Sequence, residues 1–397
     1  VMLWCLAVFI LASFLAMGAQ DMTMLVIARA IQGVALVSLP LGFAIVRDEY
    51  PAGKQGMALG LLTGAMGVGA GTGLVISGLV LDHLSWPWLF VVADVFAALS
   101  LALVWWAVPE TPLAPRTPFD AWGAVLLAAG LFVLLTAITV GPGGGWTSLP
   151  VLALFAGAVV LLVAWAVVES RRRYPMVSLA SLRLRPVMLT NLSALLAGFG
   201  LYTAYVILPE FVQLPDVLPA PLQPDASYGL GMSATAVGLV MLPGMIGLAI
   251  AGPIAGWLMN RVGPVPVLVA GMLALAAGGA WLALLHANAL EVAVGFGFVG
   301  NGWALVIAAA PRIIGMSVPP DQTGIANGLN STMRLTGTLL GGQVAVAVLM
   351  GTAVVHGVPA ERGFTISFWI TAVASLVAAA MALAIRTRRQ PAAAATA

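Results

Sequence analysis

The sequence predicts an all-α integral membrane protein of about twelve transmembrane helices, and three observations predict it: composition, the length of the apolar runs, and the placement of Lys and Arg. Of 397 residues, 61% are hydrophobic and 8% charged, with a mean hydropathy of +1.07. A soluble domain carries roughly a quarter charged residues, and lipid solvates what water would not. Runs of about 20 apolar residues, the length that crosses a bilayer core as a helix, recur along the whole chain. Thirteen of the sixteen Lys and Arg residues fall on one side of the resulting threading and one, Arg362, on the other.

Taken in order, the spans expected are 1–18, 24–45, 55–81, 86–107, 121–140, 149–168, 187–213, 232–258, 264–285, 291–310, 324–353 and 364–385. The opening VMLWCLAVFILASFLAMG has no charged leader, so it reads as a first span and not as a signal peptide. A chain that opens inside a span carries the expectation that more sequence precedes it. The spans group as four over 1–107, two central ones over 108–186 and six over 187–386, followed by a low-complexity, disordered tail at 387–397. The basic side holds Arg47, Lys54, Arg116, Arg171 to Arg173, Arg183, Arg185, Arg261, Arg312, Arg386, Arg388 and Arg389. That asymmetry places both termini in the cytoplasm of a multi-pass cell-membrane protein. No basic stripe with interleaved aromatics suggests nucleic acid. The lone Cys5 reads as a small buried hydrophobe, and no phosphate loop, metal cluster or nucleophile elbow suggests a cofactor, a metal or an enzyme.

The residues that stand out are polar groups and glycines inside spans. Gly56, Gly60, Gly64, Gly67, Gly71 and Gly78 fall on one face of the third span, which permits close approach by a neighbouring helix. Arg29 lies within the second span, with Gln32 on the same side. A mid-membrane arginine costs at least about 2.5–3.5 kcal/mol, so it is expected to face a cavity or a partner. Arg334 shares a face of the eleventh span with Asn327, Asn330, Ser331 and Thr338, a stripe that suits a cavity wall. Asp94 in the fourth span and Glu210 in the seventh are the embedded acids that could carry protons. Tyr202, Tyr205 and Gln213 on the seventh span are candidates to contact a small-molecule substrate. QGMALGL at 55–61 and TGIANGL at 323–329 open corresponding spans of two halves, the internal repetition of many secondary transporters.

These segments resemble the major facilitator superfamily, and within it the 14-span drug:proton antiporters. ARAIQG (Ala28 to Gly33) is similar to the superfamily's fourth-helix motif, whose arginine is thought to assist proton transfer. Gly67 through Gly78 resembles the fifth-helix antiporter motif, with Gly73-Leu74 where Gly-Pro is usual and Ser77 where the family has glycine. DHLSWPWLF (Asp82 to Phe90) follows, with Pro87 in place of an arginine, and LPEFVQ, GLVMLPG and GIANGLNSTMR resemble later signatures. The resemblance implies a proton-coupled exporter of hydrophobic or cationic drug-like molecules, working by alternating access and lacking the family's first two helices. Its alternatives are a truncated, non-transporting fragment or an uptake transporter of the same fold.

Overall fold

The computed structural model describes residues 1–108, 120–172, 184–215, 228–319, 322–352 and 359–385. Among them are thirteen α-helices: α1 Met2–Met17, α2 Met22–Gln32, α3 Ser38–Glu49, α4 Ala52–His83, α5 Trp88–Ala107, α6 Ala121–Gly144, α7 Leu149–Arg171, α8 Arg185–Gln213, α9 Ala234–Val262, α10 Pro264–Leu284, α11 Ala289–Gly315, α12 Thr323–Gly351 and α13 Glu361–Leu383. Nine of the described helices are long and apolar enough to cross a membrane. A tenth span is α9, bent by 54° between Ala234–Ile250 and Pro253–Val262, where Pro253 has no N–H for the carbonyl of Ala249. Met2–Met17 and Met22–Val37 are shorter apolar helices. The span expected at 24–45 is not one α-helix, because a 3₁₀ turn at Gly33–Val37 joins α2 to α3. Pro40 cannot donate to the carbonyl of Leu36, which breaks the α ladder there. The tail at 387–397 lies outside the described residues.

The helices wear their apolar side chains outward. Leu149–Arg171 has a mean hydropathy of 2.8 with only 11% of its window buried, and Trp105 and Trp106 are 77% and 82% exposed. A water-soluble protein does not present such surfaces; a lipid-embedded one does.

The chain divides into two compact units, Val1–Arg116 with Ser233–Leu239, and Thr117–Met232 with Val240–Ala397. In the first, α1 packs on α2 and α5 around Ala16, Ala28 and Phe90. Helix α4 meets the first turns of α9. A Cβ at Gly78 would sit 2.5 Å from the Cα of Thr235, and one at Gly238 would sit 2.8 Å from the carbonyl oxygen of Leu74. Only glycine lets two backbones come this close. One turn beyond Gly78, the Asp82 carboxylate accepts the N–H groups of Ala234 at 2.9 Å and Thr235 at 2.8 Å, capping α9 from outside its own segment.

In the second unit, α8 is central, packing on α11, α12 and α13. Gly337 and Gly341 of α12 lie against the carbonyls of Leu195 and Phe199, the small-xxx-small spacing that lets membrane helices touch. Side-chain bonds tie the same helices. Thr371 donates to the Gly200 carbonyl at 3.0 Å, and Ser193 donates to the Ala378 carbonyl at 3.1 Å. Helices α6 and α7 pair with each other, and Asp120 caps α6 at Gly123 N–H (3.0 Å) while facing Arg172 at 3.6 Å.

Candidate functional site

In the first unit, three helices place polar side chains against one another within an otherwise apolar bundle. Ser13 is fully buried on α1. Its hydroxyl donates to the Phe9 carbonyl one turn back, at 3.1 Å, and accepts the Gln32 amide N–H at 2.7 Å. Gln32, itself buried on α2, accepts from Arg29 Nη1 through its Oε1 at 3.2 Å. The Arg29 guanidinium, exposed on its other side, lies 4.7 Å from the centre of the Phe90 ring. One helical turn further along α5 is Asp94, 8% exposed, with both carboxylate oxygens buried and without a hydrogen bond. Its helix, α5, packs on α1, the helix that carries Ser13.

Arg29, Gln32 and Ser13 therefore form a hydrogen-bonded chain from an exposed cation to a buried hydroxyl, and the buried acid Asp94 lies on α5, which packs on the same helix as Ser13. Each contact has a local cause. Gln32 is three residues from Arg29, so both project from one face of α2. Phe90 and Asp94 are four apart on α5, so the cation–π contact and the acid lie on one stripe.

Sequence reasoning selected Arg29, Gln32 and Asp94, and the structure brings these three together. It missed Ser13, whose one visible signal is a hydroxyl interrupting an apolar run. The other candidates lie elsewhere. On α4, Gly67, Gly71 and Gly78 are buried, Gly64 is half-buried, and Gly60 lies within the helix. Arg334, Glu210, Tyr202, Tyr205, Gln213, Asn327 and Asn330 all belong to the second unit. There the Arg334 guanidinium lies 5.6 Å from the Trp303 ring centre. Asn330, 3% exposed, donates to Asn191 Oδ1 at 2.9 Å across the contact of α8 and α12. Asn327 is half-buried on α12. Tyr202 stacks on Tyr205 at 5.5 Å, and Tyr205 tilts against Phe296 at 6.3 Å, giving an aromatic row on α8 and α11. Gln213 donates to the Pro209 carbonyl of its own helix at 3.0 Å, and Glu210 is exposed beside it. Tyr228, outside the spans, donates to the carbonyl of Pro359. Its phenol is pushed up to about 12, first by burial and then by the negative charges of Glu210 and Glu361.

A polytopic helical protein with a charged and polar chain inside its bundle has the build of a secondary transporter. The chain belongs to the Major Facilitator Superfamily, whose family model matches residues 1–214 and again 190–397. This is a family of membrane transporters and not of enzymes. The chain is 30% identical, over 83% of its length, to the Tetracenomycin C resistance and export protein of Streptomyces glaucescens, covering 59% of that protein. It is 27% identical, over 86% of its length, to the Multidrug resistance protein Stp of Mycobacterium tuberculosis, covering 62% of it. The chain thus spans about three fifths of the length of these curated relatives. Among solved structures, a peptide transporter POT in complex with sulfate superposes with a TM-score of 0.65 at 16% identity, over 97% of this chain and 79% of that one, which speaks for the fold alone.

Proposed function

We propose that this protein is a proton-coupled exporter of hydrophobic or cationic drug-like molecules, seated in the cell membrane with both termini in the cytoplasm. The observation that carries the reading is the buried, unpartnered Asp94 carboxylate in the same unit as the Arg29–Gln32–Ser13 hydrogen-bonded chain. Asp94 is the group that gains and loses the proton, because it is the buried acid of that unit. Gln32 holds Ser13 in place, and Arg29 sets the field at the exposed end. The resistance and multidrug names of the relatives support the substrate class. Coupling arises when proton and substrate each bind two conformations of the protein with different affinity. The Tyr202–Tyr205 row contributes the aromatic faces that a planar hydrophobic or cationic substrate contacts, and Arg334 belongs to the polar face of α12 that lines the cavity.

The test is transport in proteoliposomes carrying the full gene product, with a fluorescent cationic substrate such as ethidium and an imposed pH gradient. Movement of ethidium driven by the gradient, abolished by a protonophore and by Asp94→Asn, is the expected result. Movement indifferent to the gradient, or gradient-driven movement that Asp94→Asn leaves intact, overturns the reading.

A further inference from the structure

Within the second unit, a cavity of about 510 Å³ opens between the C-terminal ends of α6 and α12. One wall is α12, with Val346, Ala347 and Met350; the other is α6, where Gly143 contributes no side chain. A Cβ on Gly143 would meet nothing within 4 Å, and Val346 and Met350 are exposed, so the cavity is open on its outer side. At its base, Thr139 and Gln343 join the two helices by a 2.7 Å hydrogen bond. The volume lies inside the range of small-molecule sites, about 300–1,000 Å³, which are mostly apolar with a few placed polar groups.

The base pair has unspent capacity. The Thr139 hydroxyl has one proton and two acceptors in reach, the Leu135 carbonyl at 2.8 Å and Gln343 Oε1 at 2.7 Å. If the proton goes to Gln343, the amide N–H₂ remains for a ligand. If it goes to Leu135, the amide turns over, donates to Thr139 and presents its oxygen instead. The cavity therefore meets either a donor or an acceptor on a visitor.

We propose that this cavity binds an uncharged, membrane-dissolved amphiphile of drug size, its apolar body against Val346, Ala347 and Met350 and its one hydroxyl or amide on Gln343. Charge decides against a phospholipid as occupant. No lining residue is charged, so a phosphate headgroup would find no counter-ion, and an acyl chain alone would leave the amide unused. The thioether of Met350 is polarizable and adapts to varied shapes. The site requires neither a proton gradient nor transport, so it stands or falls apart from the export proposal.

The test uses 4-hydroxybenzophenone, an uncharged amphiphile that is its own photolabel, on the purified full chain in nanodiscs. Saturable labelling of the α12 segment that contains Met350 is expected by mass spectrometry. Gly143→Leu fills the cavity and lowers that labelling about tenfold or more, the equivalent of at least about 1.4 kcal/mol. If its thermal melt shows that this variant does not fold, Ala347→Leu fills the cavity from the other wall. Gln343→Leu raises the half-saturating concentration about three- to tenfold, as loss of one neutral hydrogen bond does, and leaves labelling by 3-phenyl-3-(trifluoromethyl)diazirine, a photolabel with neither hydroxyl nor carbonyl, unchanged. Undiminished labelling in both filled variants overturns the proposal. So does an equal effect of Gln343→Leu on the two probes, or displacement of 4-hydroxybenzophenone by phosphatidylglycerol titrated into detergent-purified protein.

Discussion

Ser13 anchors, through Gln32, one of the two charges that the sequence announces separately. An arginine and an aspartate in apolar runs are conspicuous, because insertion of each is costly and must have a reason. A serine in a membrane helix is not, since its hydroxyl satisfies itself on the carbonyl four residues back, as Ser13 does on Phe9. Its role follows only from where α2 and α5 pack on α1, which no local pattern encodes. Ser13→Ala keeps the packing and removes the acceptor of the Gln32 amide, so gradient-driven efflux is expected to fall about three- to tenfold, as loss of one neutral hydrogen bond does. Ser13→Thr, which retains a hydroxyl, restores most of it. Equal efflux by wild type and Ser13→Ala in the proteoliposome assay would show that Ser13 takes no part in coupling. Tyr228 offers a second measurement at this scale. The folded protein holds its phenol neutral up to about 12, above the ordinary value of about 10. Its contribution to stability is therefore present below about pH 10 and is lost as pH rises toward 12. Glu210→Gln removes one of the charges responsible, so ultraviolet titration should show Tyr228 ionising at lower pH than in the wild type.

The glycine rhythm of α4 was readable because period and face follow from helix geometry alone. Gly67, Gly71 and Gly78 are buried, whereas Gly69 and Gly73, off that rhythm, are exposed with open space around them. What the rhythm could not name was the partner, the first turns of α9, more than 150 residues away in sequence. Nor did hydropathy disclose the 3₁₀ turn at Gly33–Val37 or the bend in α9, because a window average passes over a single proline. Gly78→Ala drives a methyl into the backbone of Ala234 and Thr235, where nothing flexible can give way. A loss of about 1–3 kcal/mol is expected, as for other overpacked sites, read as a lower melting temperature by tryptophan fluorescence in detergent. Gly73→Ala, whose methyl meets open space, serves as the control and should melt no lower than the wild type. Asp82→Ala removes the acceptor of two N–H groups and should lower the melting temperature in the same assay. Asp82→Asn, which keeps one acceptor oxygen, should fall between.

Over the whole molecule, what a sequence reports best is its solvent. Sixty-one per cent hydrophobic residues, distributed in membrane-length runs, leave lipid as the only medium that accommodates helices such as α7. The grouping of helices is less visible, since it depends on side-chain fit and not on hydropathy. Helices α6 and α7 cluster with the C-terminal helices, and residues 233–239 cluster with the N-terminal ones, across boundaries that no change in composition marks. Orientation depends on neither, because it follows from where Lys and Arg sit. Each miscounted span would exchange the sides of every later loop, so a division of thirteen to one survives only if the threading is right from end to end. That makes orientation the most exposed prediction at this scale. With the buried Cys5 changed to alanine, single cysteines introduced by Ser85→Cys and Ser148→Cys should react with a membrane-impermeant maleimide on intact cells. Ser178→Cys, in the arginine-rich segment between α7 and α8, should react only after the cells are opened. Labelling of Ser178→Cys on intact cells would invert the threading, and with it the direction in which a proton gradient could drive export.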